Sequence, residues 1–278
     1  MIVPALSHDD LLSDIQQANT ADDRVRLWWL GQSGFLVQWN NRHLLFDPYL
    51  SDSLTTKYAT TDKPHVRMTE LVVDPRRLDF IDVVTSSHNH TDHLDGETLI
   101  PLLQANPELT IVVAAANRPF AAERLSLQPE RLTSVDDGGS IAAAGFSIHA
   151  IPAAHETVER DAQGRCRFLG YVAEFGHWTI YHSGDTMLYD EMAARLRKWN
   201  IDIAILPING RAPERRVAGN LWGREAAQLA KDIGARLVIP CHYDMFEFNT
   251  ESPDELIAEC ERIEQPFRVL QCGERFEP

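Results

Sequence analysis

Cysteine is scarce in this sequence, and the few cysteines are scattered. There are four among 278 residues, and no two of them form a C-x-x-C pair. They are Cys166, Cys241, Cys260 and Cys272. A zinc ribbon and a thioredoxin-type redox site both need closely spaced thiols, so both are excluded. Scattered cysteines with no disulfide framework are typical of a protein from a reducing compartment.

Positive charge is also in deficit. Lys and Arg number 26 against 41 Asp and Glu, which gives a formal net charge of −15 at pH 7. Because like charges repel, this balance argues against a protein that works on nucleic acid or on an anionic membrane surface. It does not argue against a local basic pocket, so a small anionic ligand is still allowed.

Long apolar runs, a leader pattern and linkers are missing as well. No segment approaches the roughly 18 apolar residues of a membrane span. The first ten residues include Asp9 and Asp10 and lack the basic-then-apolar pattern of a signal peptide. We therefore expect a soluble cytoplasmic protein. No repeat and no linker rich in Pro, Gly or Ser divides the chain, so we expect one domain over residues 1–278.

Short β-branched runs alternate along the chain with helical patterns. The segments at 34–39 and 43–47 flank Asn40-Asn41-Arg42 and predict a hairpin. Other strands are predicted at 24–30, 81–86, 110–114, 145–152, 167–175, 177–182, 202–207, 236–240 and 267–271. Helices are predicted at 94–103, 119–125, 190–199, 224–233 and 252–263. Strands in both halves with helices outside them predict an α/β fold, a four-layer αββα sandwich.

Residues 50–80 are polar and irregular and predict a long loop. Loops of that length in a compact domain are usually functional. Substrate specificity is expected to lie in this loop and in the loop at 209–222.

The dominant feature of the sequence is a histidine cluster directly after the predicted strand 81–86. His88, His90, Asp92 and His93 lie within six residues. His88 and His90 alternate by two and can point to one place, whereas Asp92 and His93 follow as the chain bends and can face a second. Imidazole and carboxylate suit zinc, manganese or iron. A helix cap with incidental histidines is the weaker interpretation, because each imidazole ring needs a hydrogen-bond partner.

Three further candidate ligands come directly after apolar strands later in the chain. His155 follows the strand 145–152, Asp185 follows 177–182, and His242 follows 236–240. Gly184 allows a sharp backbone turn that points Asp185 to the sheet edge. Taken singly, His155 or His242 is equally compatible with a structural histidine. Strand ends are where α/β folds place ligands, so the three together with the first cluster favour one metal centre.

The order His88-x-His90-x-Asp92-His93, followed by His155, Asp185 and His242, resembles the metallo-β-lactamase superfamily. The resemblance extends over nearly the whole chain and implies two metal sites bridged by the Asp185 carboxylate. The first site would consist of His88, His90 and His155, and the second of Asp92, His93 and His242.

Four segments narrow the resemblance to the ascorbate-6-phosphate lactonase-like group. They are Trp28–Phe35, Leu45–Asp52, Tyr181–Thr186 and Val238–Phe246. Asp185 stands where the commonest β-lactamases have cysteine, and His90 stands where diiron flavoproteins have glutamate. No segment is long enough for the inserted domain of the nucleic-acid-processing branch. The resemblance identifies the group but not the substrate.

These features together imply a metal-dependent hydrolase. Two divalent cations, zinc or manganese or else iron, would hold a bridging hydroxide that cleaves an ester, lactone or phosphodiester of a small anionic substrate. Asp92 and Asp185 are expected to bind the metals, with Asp92 also orienting the hydroxide, and Tyr243 to donate to an oxyanion. The loop 209–222 supplies candidates for substrate binding, namely Arg211, Arg215, Arg216 and Asn220.

The imidazoles of such a centre need hydrogen-bond acceptors around them. Asp47, Asp95 and His182 are candidates for that role, and Trp222 and Phe246 are candidates to shape the pocket.

Other hypotheses remain open: a phosphodiesterase or nuclease with the same metals, a mononuclear iron persulfide dioxygenase, and a non-catalytic metal-binding relative. The net charge weighs against the nuclease, and the seven filled ligand positions weigh against the non-catalytic relative. A homo-oligomer is also possible, since members of the superfamily include oligomers.

Overall fold

The computed structural model describes all 278 residues, with thirteen strands and seven α-helices. The strands are β1 (Arg26–Trp29), β2 (Phe35–Trp39), β3 (Arg42–Phe46), β4 (Val83–Ser86), β5 (Thr110–Ala114), β6 (Thr133–Val135), β7 (Ser140–Ala143), β8 (Phe146–Pro152), β9 (Leu169–Phe175), β10 (Trp178–His182), β11 (Ile203–Pro207), β12 (Leu237–Cys241) and β13 (Arg275–Phe276). The helices are α1 (His8–Ala18), α2 (Ser53–Tyr58), α3 (Gly96–Ala105), α4 (Arg118–Arg124), α5 (Met192–Leu196), α6 (Gly223–Asp232) and α7 (Asp254–Ile263).

The strands form two mixed sheets. One has the order β13-β1-β2-β3-β4-β5-β6 and the other β12-β11-β10-β9-β8-β7. In the first sheet β3 to β6 pair in parallel, and in the second β10 to β12 do so, while the remaining pairs are antiparallel. Helix α4 packs against β5, and α6 packs against α7, β11 and β12. The predicted four-layer αββα sandwich is confirmed.

Aromatic side chains join the two sheets within one hydrophobic core. The core contains 69 buried residues from both sheets and from the helices. Trp39 on β2 packs against Phe175 on β9, with 5.6 Å between the ring centroids. Phe46 on β3 stacks on His182 of β10 at 4.9 Å with an angle of 7°. Truncation of a buried phenylalanine such as Phe46 costs about 3–5 kcal/mol, so these contacts fix one sheet on the other.

The hairpin and the four strands that precede the candidate ligands form as predicted. Asn40 and Asn41 both have positive φ, which is the conformation of a two-residue hairpin turn, and Trp39 pairs with Arg42. Strands β4, β8, β10 and β12 end at residues 86, 152, 182 and 241. The segment after each strand end is therefore free to turn toward a common site.

Several element predictions are wrong in detail. Residues 267–271 do not form a strand, because only Phe267 bridges to Val238 and the chain closes instead with β13. The helix predicted at 190–199 is limited to α5, since Glu191 has a left-handed φ of 69°. The segment 50–80 is not irregular throughout, as it contains α2. Strands β6 and β7 were not predicted, because both are short and contain few large apolar residues.

No helix combines the length and the apolarity that a bilayer span requires. The longest, α1, has 11 residues, against the roughly 20 needed.

Candidate metal centre

The predicted ligands meet in one cluster between the strand ends. Three groups of side chains have ligand atoms that all lie within 4.8 Å of one another. Two of them, His88 with His90 and His155 and Asp92 with His93 and His242, coincide with the two sites that the sequence implies. The third consists of Asp47 with His88 and His93, and in it Asp47 contacts His93 through Nδ1. Apart from His90 and Asp92, these residues are buried, so the donors are largely withdrawn from water.

Asp185 lies between the two groups. Its Oδ2 is 3.5 Å from His155 Nε2 and 3.4 Å from His242 Nε2, and its Oδ1 is 3.3 Å from His93 Nε2. Gly184 makes this placement possible with a φ of +60°. A Cβ on Gly184 would come within 2.5 Å of the Ser87 Cβ, so no other residue fits here. The carboxylate of Asp185 thus contacts residues of both groups.

Asp47 fixes the tautomers of two histidines from outside the cluster. Its Oδ2 lies 2.7 Å from His93 Nδ1, and because a carboxylate only accepts, Nδ1 carries the proton. Ser87 donates its hydroxyl to Asp47 and therefore accepts from His88 Nδ1 at 3.0 Å. The lone pairs of both Nε2 atoms are thereby left free to bind a metal.

A backbone carbonyl has the same effect on His155. Its Nδ1 lies 2.8 Å from the carbonyl oxygen of Gly219, so Nδ1 donates and the Nε2 lone pair is free. Gly219 belongs to the loop 209–222, and this bond fastens that loop to the metal centre.

Four buried polar atoms of the cluster have no hydrogen-bond partner in the protein. They are His88 Nε2, His93 Nε2, Asp185 Oδ1 and His242 Nδ1. Buried polar atoms are rarely left unpaired, so four in one place need an explanation. A set of imidazole nitrogens and carboxylate oxygens is the donor set of zinc, manganese or iron. The residues present therefore fit metal ions.

The electrostatics of the cluster point in the same direction. Burial lowers the pKa of His88 well below its usual value. The pKa of His90 falls to about 4, because the surrounding cluster desolvates its ring although part of the side chain is exposed to the cavity. Burial also acts on His242, but the nearby carboxylates, chiefly that of Asp185, outweigh it and raise the pKa to about 9. The buried carboxylates thus require positive charge close by, which divalent cations supply.

The cluster forms the floor of a cavity of about 500 Å³. Its size is typical of a pocket for a small molecule. Of the predicted ligands, those that line it are His90, Asp92, His155, Asp185 and His242. The walls come from α2, α4 and the loops, namely Leu54, Lys57, Tyr58, His65, Asn89, Thr91, Arg124, Arg216, Val217, Ala218, Asn220, Phe246, Phe248 and Asn249.

Two of the four residues predicted to bind substrate line this cavity. Arg216 has an exposed side chain and forms an ion pair with Asp62, which is also exposed, at 2.9 Å. An exposed ion pair contributes little energy, so a ligand can replace Asp62 as the partner of Arg216. Asn220 is fully buried, and its Nδ2 donates to Asn209. The Oδ1 of Asn220 has no partner.

The other two arginines do not line the cavity, which leaves their predicted contact with substrate without support from this structure. Arg211 forms two bonds of 2.7 Å with the Glu225 carboxylate. Arg215 donates to the Asn209 carbonyl and to Glu251. Both guanidinium groups are thus occupied in holding the loop 209–222 to the body of the protein.

Tyr243 does not line the cavity, which leaves its predicted role as an oxyanion donor without support from this structure. Its hydroxyl donates to the Leu270 carbonyl at 2.5 Å, and its ring packs on Trp29 with 4.3 Å between centroids. Burial raises the pKa of Tyr243 well above its usual value. Tyr243 therefore anchors the segment after α7 rather than a substrate.

Of the candidates to orient the imidazoles, Asp47 alone contacts a ligand. Asp95 caps α3, accepting from Glu97 N and from Thr98 Oγ1, and His182 Nε2 lies 2.9 Å from the Ser33 carbonyl. Phe246 lines the cavity as expected, whereas Trp222 does not.

Gln32 and most residues of the cavity wall were not predicted from the sequence. Gln32 is buried, and its Nε2 lies 2.8 Å from Asp92 Oδ2 and 3.1 Å from His242 Nε2. The only sequence signal for Gln32 was its place in the Trp28–Phe35 segment. Tyr58 and His65 lie in the 50–80 loop that was predicted to be functional, but Arg124 on α4 carried no signal at all.

Comparison with known proteins is consistent with this geometry. A metal-dependent hydrolase of the UPF0173 group from Opitutus terrae is 29% identical over 258 residues, covering 91% of this chain and all of the relative. One from Pyrobaculum aerophilum is 27% identical over 245 residues, covering 86% of this chain and 93% of the relative.

Solved structures share the fold. A possible metal-dependent hydrolase from Veillonella parvula superposes with a TM-score of 0.72 at 17% identity, covering 92% of this chain and all of the other. The isothiocyanate hydrolase from Delia radicum gut bacteria gives 0.71 at 20% identity, covering 91% and 100%. Residues 42–243, including every predicted ligand, match the family described as beta-lactamase superfamily domain. The chain belongs to this family, the beta-lactamase superfamily.

Proposed function

We propose that the protein is a metal-dependent hydrolase with a dinuclear centre, acting on an ester, lactone or phosphodiester bond of a small anionic molecule. The observation that carries the proposal is the presence of two donor groups that match the implied metal sites, with Asp185 between them. Similarity to proteins named metal-dependent hydrolases supports the reaction class. Within that class, the segments that resemble the lactonase-like group favour a lactone or similar ester.

Each donor group would hold one ion, zinc or manganese in our proposal, with iron also compatible with the donors. The first ion would bind His88, His90 and His155, the second Asp92, His93 and His242, with Asp185 shared between them. When bound, the ions supply Lewis acidity and lower the pKa of water to near 7.

The residues of the chain itself then position the reactants. Asp92 is the cluster carboxylate with the more exposed side chain, 16% against 4% for Asp185, so it is the one that can accept a hydrogen bond from water in the cavity. The Gln32 amide, 2.8 Å from Asp92 Oδ2, restrains that carboxylate. Asp47 and Gly219 hold the imidazoles in the tautomers that present Nε2 to the centre.

The cavity favours a small substrate with negative charge. Its volume of about 500 Å³ fits a compact molecule, and three cationic side chains, Lys57, Arg124 and Arg216, line it. The only carboxylates in its lining are Asp92 and Asp185, both in the metal cluster. We therefore propose a small organic anion as substrate and no long nucleic acid, in keeping with the net charge of −15.

The test is hydrolysis of a panel of lactones, carboxylic esters and phosphodiesters by protein that has been stripped with a chelator and reloaded with zinc, manganese or iron. We expect activity on at least one substrate class, absent after stripping and restored by a metal. Activity that survives complete stripping would overturn the proposal. Thiol-dependent oxygen consumption by protein holding one iron, with no hydrolysis, would select a persulfide dioxygenase instead.

A further inference from the structure

One cation of the cavity is held in place by the fold and has no carboxylate partner. Arg124, at the end of α4, lies half-buried in the cavity wall. Its Nη1 donates to the carbonyl oxygens of Asn89 at 2.8 Å and of Leu94 at 3.0 Å. Both carbonyls belong to the loop that supplies the first metal ligands. The Nε and Nη2 atoms make no hydrogen bond to the protein, and the guanidinium lies over the Phe120 ring with 4.4 Å between Cζ and the ring centroid. The N–H groups at the edge of the guanidinium are therefore available to a ligand.

Arg124 is both held in place and without an ion-pair partner, which is true of neither of the other two cations of the cavity. Arg216 already pairs with Asp62, and Lys57 is an exposed lysine on a flexible stem. Burial lowers the pKa of Arg124, and the charge of Asp95, which makes no ion pair with the guanidinium, offsets that cost only in part. A guanidinium fork of fixed orientation is suited to a carboxylate or phosphate.

Four rings, one at the end of α2 and three from two loops, form what we call the aromatic wall: Tyr58, His65, Phe246 and Phe248. His65 stacks on Tyr58 with 4.2 Å between centroids and an angle of 18°. Phe248 and Phe246 meet the His65 ring edge to face at 4.5 Å and 5.4 Å. All four rings line the cavity. A flat unsaturated group can stack on such rings, which adds binding energy beyond that of the buried area alone.

Contacts within the protein hold the aromatic wall together. Backbone hydrogen bonds join the two loops, from Glu247 N to Val66 O at 3.0 Å and from Met68 N to Met245 O at 2.8 Å. The Lys63 ammonium lies 4.8 Å from the centre of the Phe248 ring, an additional cation–π contact. A wall that is already ordered binds without the entropy cost of ordering side chains.

We propose that the substrate is a small organic anion carrying a flat unsaturated group, with its carboxylate or phosphate on Arg124 and the flat group against the aromatic wall. Arg124 and the wall line one cavity of about 500 Å³, so one small molecule can contact both. The inference rests on the proposed function, because it concerns the same cavity.

The test is calorimetric titration of the metal-loaded protein with benzoate and with isophthalate. Both ligands have one carboxylate that the metals can take, and isophthalate has a second that can reach Arg124. We expect isophthalate to bind about tenfold more tightly than benzoate, the usual scale of a hydrogen-bonded charge. In Arg124→Gln the two affinities should become equal, and in Arg124→Lys part of the preference should remain.

The matched control is Arg118→Gln on the same helix. Arg118 is also half-buried and donates to a backbone carbonyl, that of Pro129 at 2.7 Å, but it does not line the cavity. The control should keep the full preference for isophthalate. Metal content is measured in every variant, because a merely structural role of Arg124 would weaken both ligands equally and leave their ratio unchanged.

The aromatic wall is tested with benzoate and cyclohexanecarboxylate, which share charge and approximate size but differ in flatness. The wild type should favour benzoate about two- to tenfold, which Phe248→Leu should reduce. Isophthalate no tighter than benzoate, no binding of either, or a ratio unaffected by Arg124→Gln would overturn the inference. If the preferences appear but no substrate of the panel is hydrolysed, the proposed function fails and the inference stands.

Discussion

The metal cluster and the cavity wall are built in different ways. Four of the seven candidate ligands come from one stretch of six residues, and the other three directly follow strands. Asp47 and the Gly219 carbonyl accept buried hydrogen bonds that orient His93 and His155. The wall is assembled from α2, α4 and loops far apart in the chain, and most of its side chains are half-exposed. The reactive groups are thus encoded locally, whereas the groups that select a substrate depend on packing between distant segments.

Asp185→Asn should have the largest effect, because it removes the carboxylate shared by the two donor groups. Mutation of a residue that only hydrogen-bonds to a metal ligand already lowers metal affinity or activity by about 10–100-fold. We therefore expect a loss of hydrolysis of more than about 100-fold, together with a lower metal content, measured by rate and by elemental analysis. Asp190→Asn is the control, since Asp190 is exposed and makes no ion pair. Full activity in Asp185→Asn would contradict a dinuclear centre.

Asp47→Asn should weaken metal binding without removing a ligand. The variant replaces the carboxylate that accepts from His93 Nδ1 and Ser87, so the histidine tautomers are no longer fixed. We expect about 10–100-fold weaker metal affinity, measured by competition with a chromogenic chelator.

Asp95→Asn is the matched comparison for Asp47→Asn. Asp95 caps α3 and contacts no predicted ligand, and Asn is as good an N-cap as Asp, so this variant should keep near wild-type stability and leave metal affinity unchanged. Equal metal affinities in the two variants would remove the role assigned to Asp47.

Metal removal should destabilise the fold. A metal that binds only the folded state adds about 2.7 kcal/mol per site at 100 times its dissociation constant. Stripping the protein should therefore lower the melting temperature by several degrees, because about 1 kcal/mol corresponds to roughly 2–4 °C for a chain of 150–250 residues. Scanning calorimetry before and after reloading measures the change. An identical melting temperature in both forms would mean that the cluster holds no metal.

Tyr243→Phe should have the smallest effect on catalysis. This variant separates residues that stabilise the fold from residues that act in the cavity. The tyrosine hydroxyl donates to Leu270 and not into the cavity. We expect kcat/KM to stay within about twofold and stability to fall by about 0.5–1.5 kcal/mol, the net worth of one hydrogen bond, measured by urea unfolding. A kcat more than tenfold lower at wild-type stability would restore Tyr243 to the reaction.

The parts of the fold and site that could be predicted were those in which sequence position decides geometry. Strand ends at 86, 152, 182 and 241 place the segments that follow them near one site. The residues that approach each other there were therefore predicted without knowledge of the packing. The strand predicted at 267–271 failed because a single bridge at Phe267 does not continue into a ladder.

The placements that the sequence did not reveal come from contacts between distant residues. Tyr243 is next to His242, yet the two side chains of these neighbours point to different sides of the chain. Arg211 and Arg215 have partners 14 and 36 residues away, Glu225 and Glu251, which no local pattern reveals. Arg124 was missed for the same reason, since it meets the metal-binding loop only after folding.

The central claim is that two metal ions share Asp185, and the number of ions per chain tests it most directly. The protein is purified without chelator and without added metal, saturated with zinc or manganese, desalted, and analysed for metal and protein in the same sample. We expect two ions per chain in the wild type and fewer in Asp185→Asn. One ion per chain in the saturated wild type, unchanged by Asp185→Asn, would contradict it.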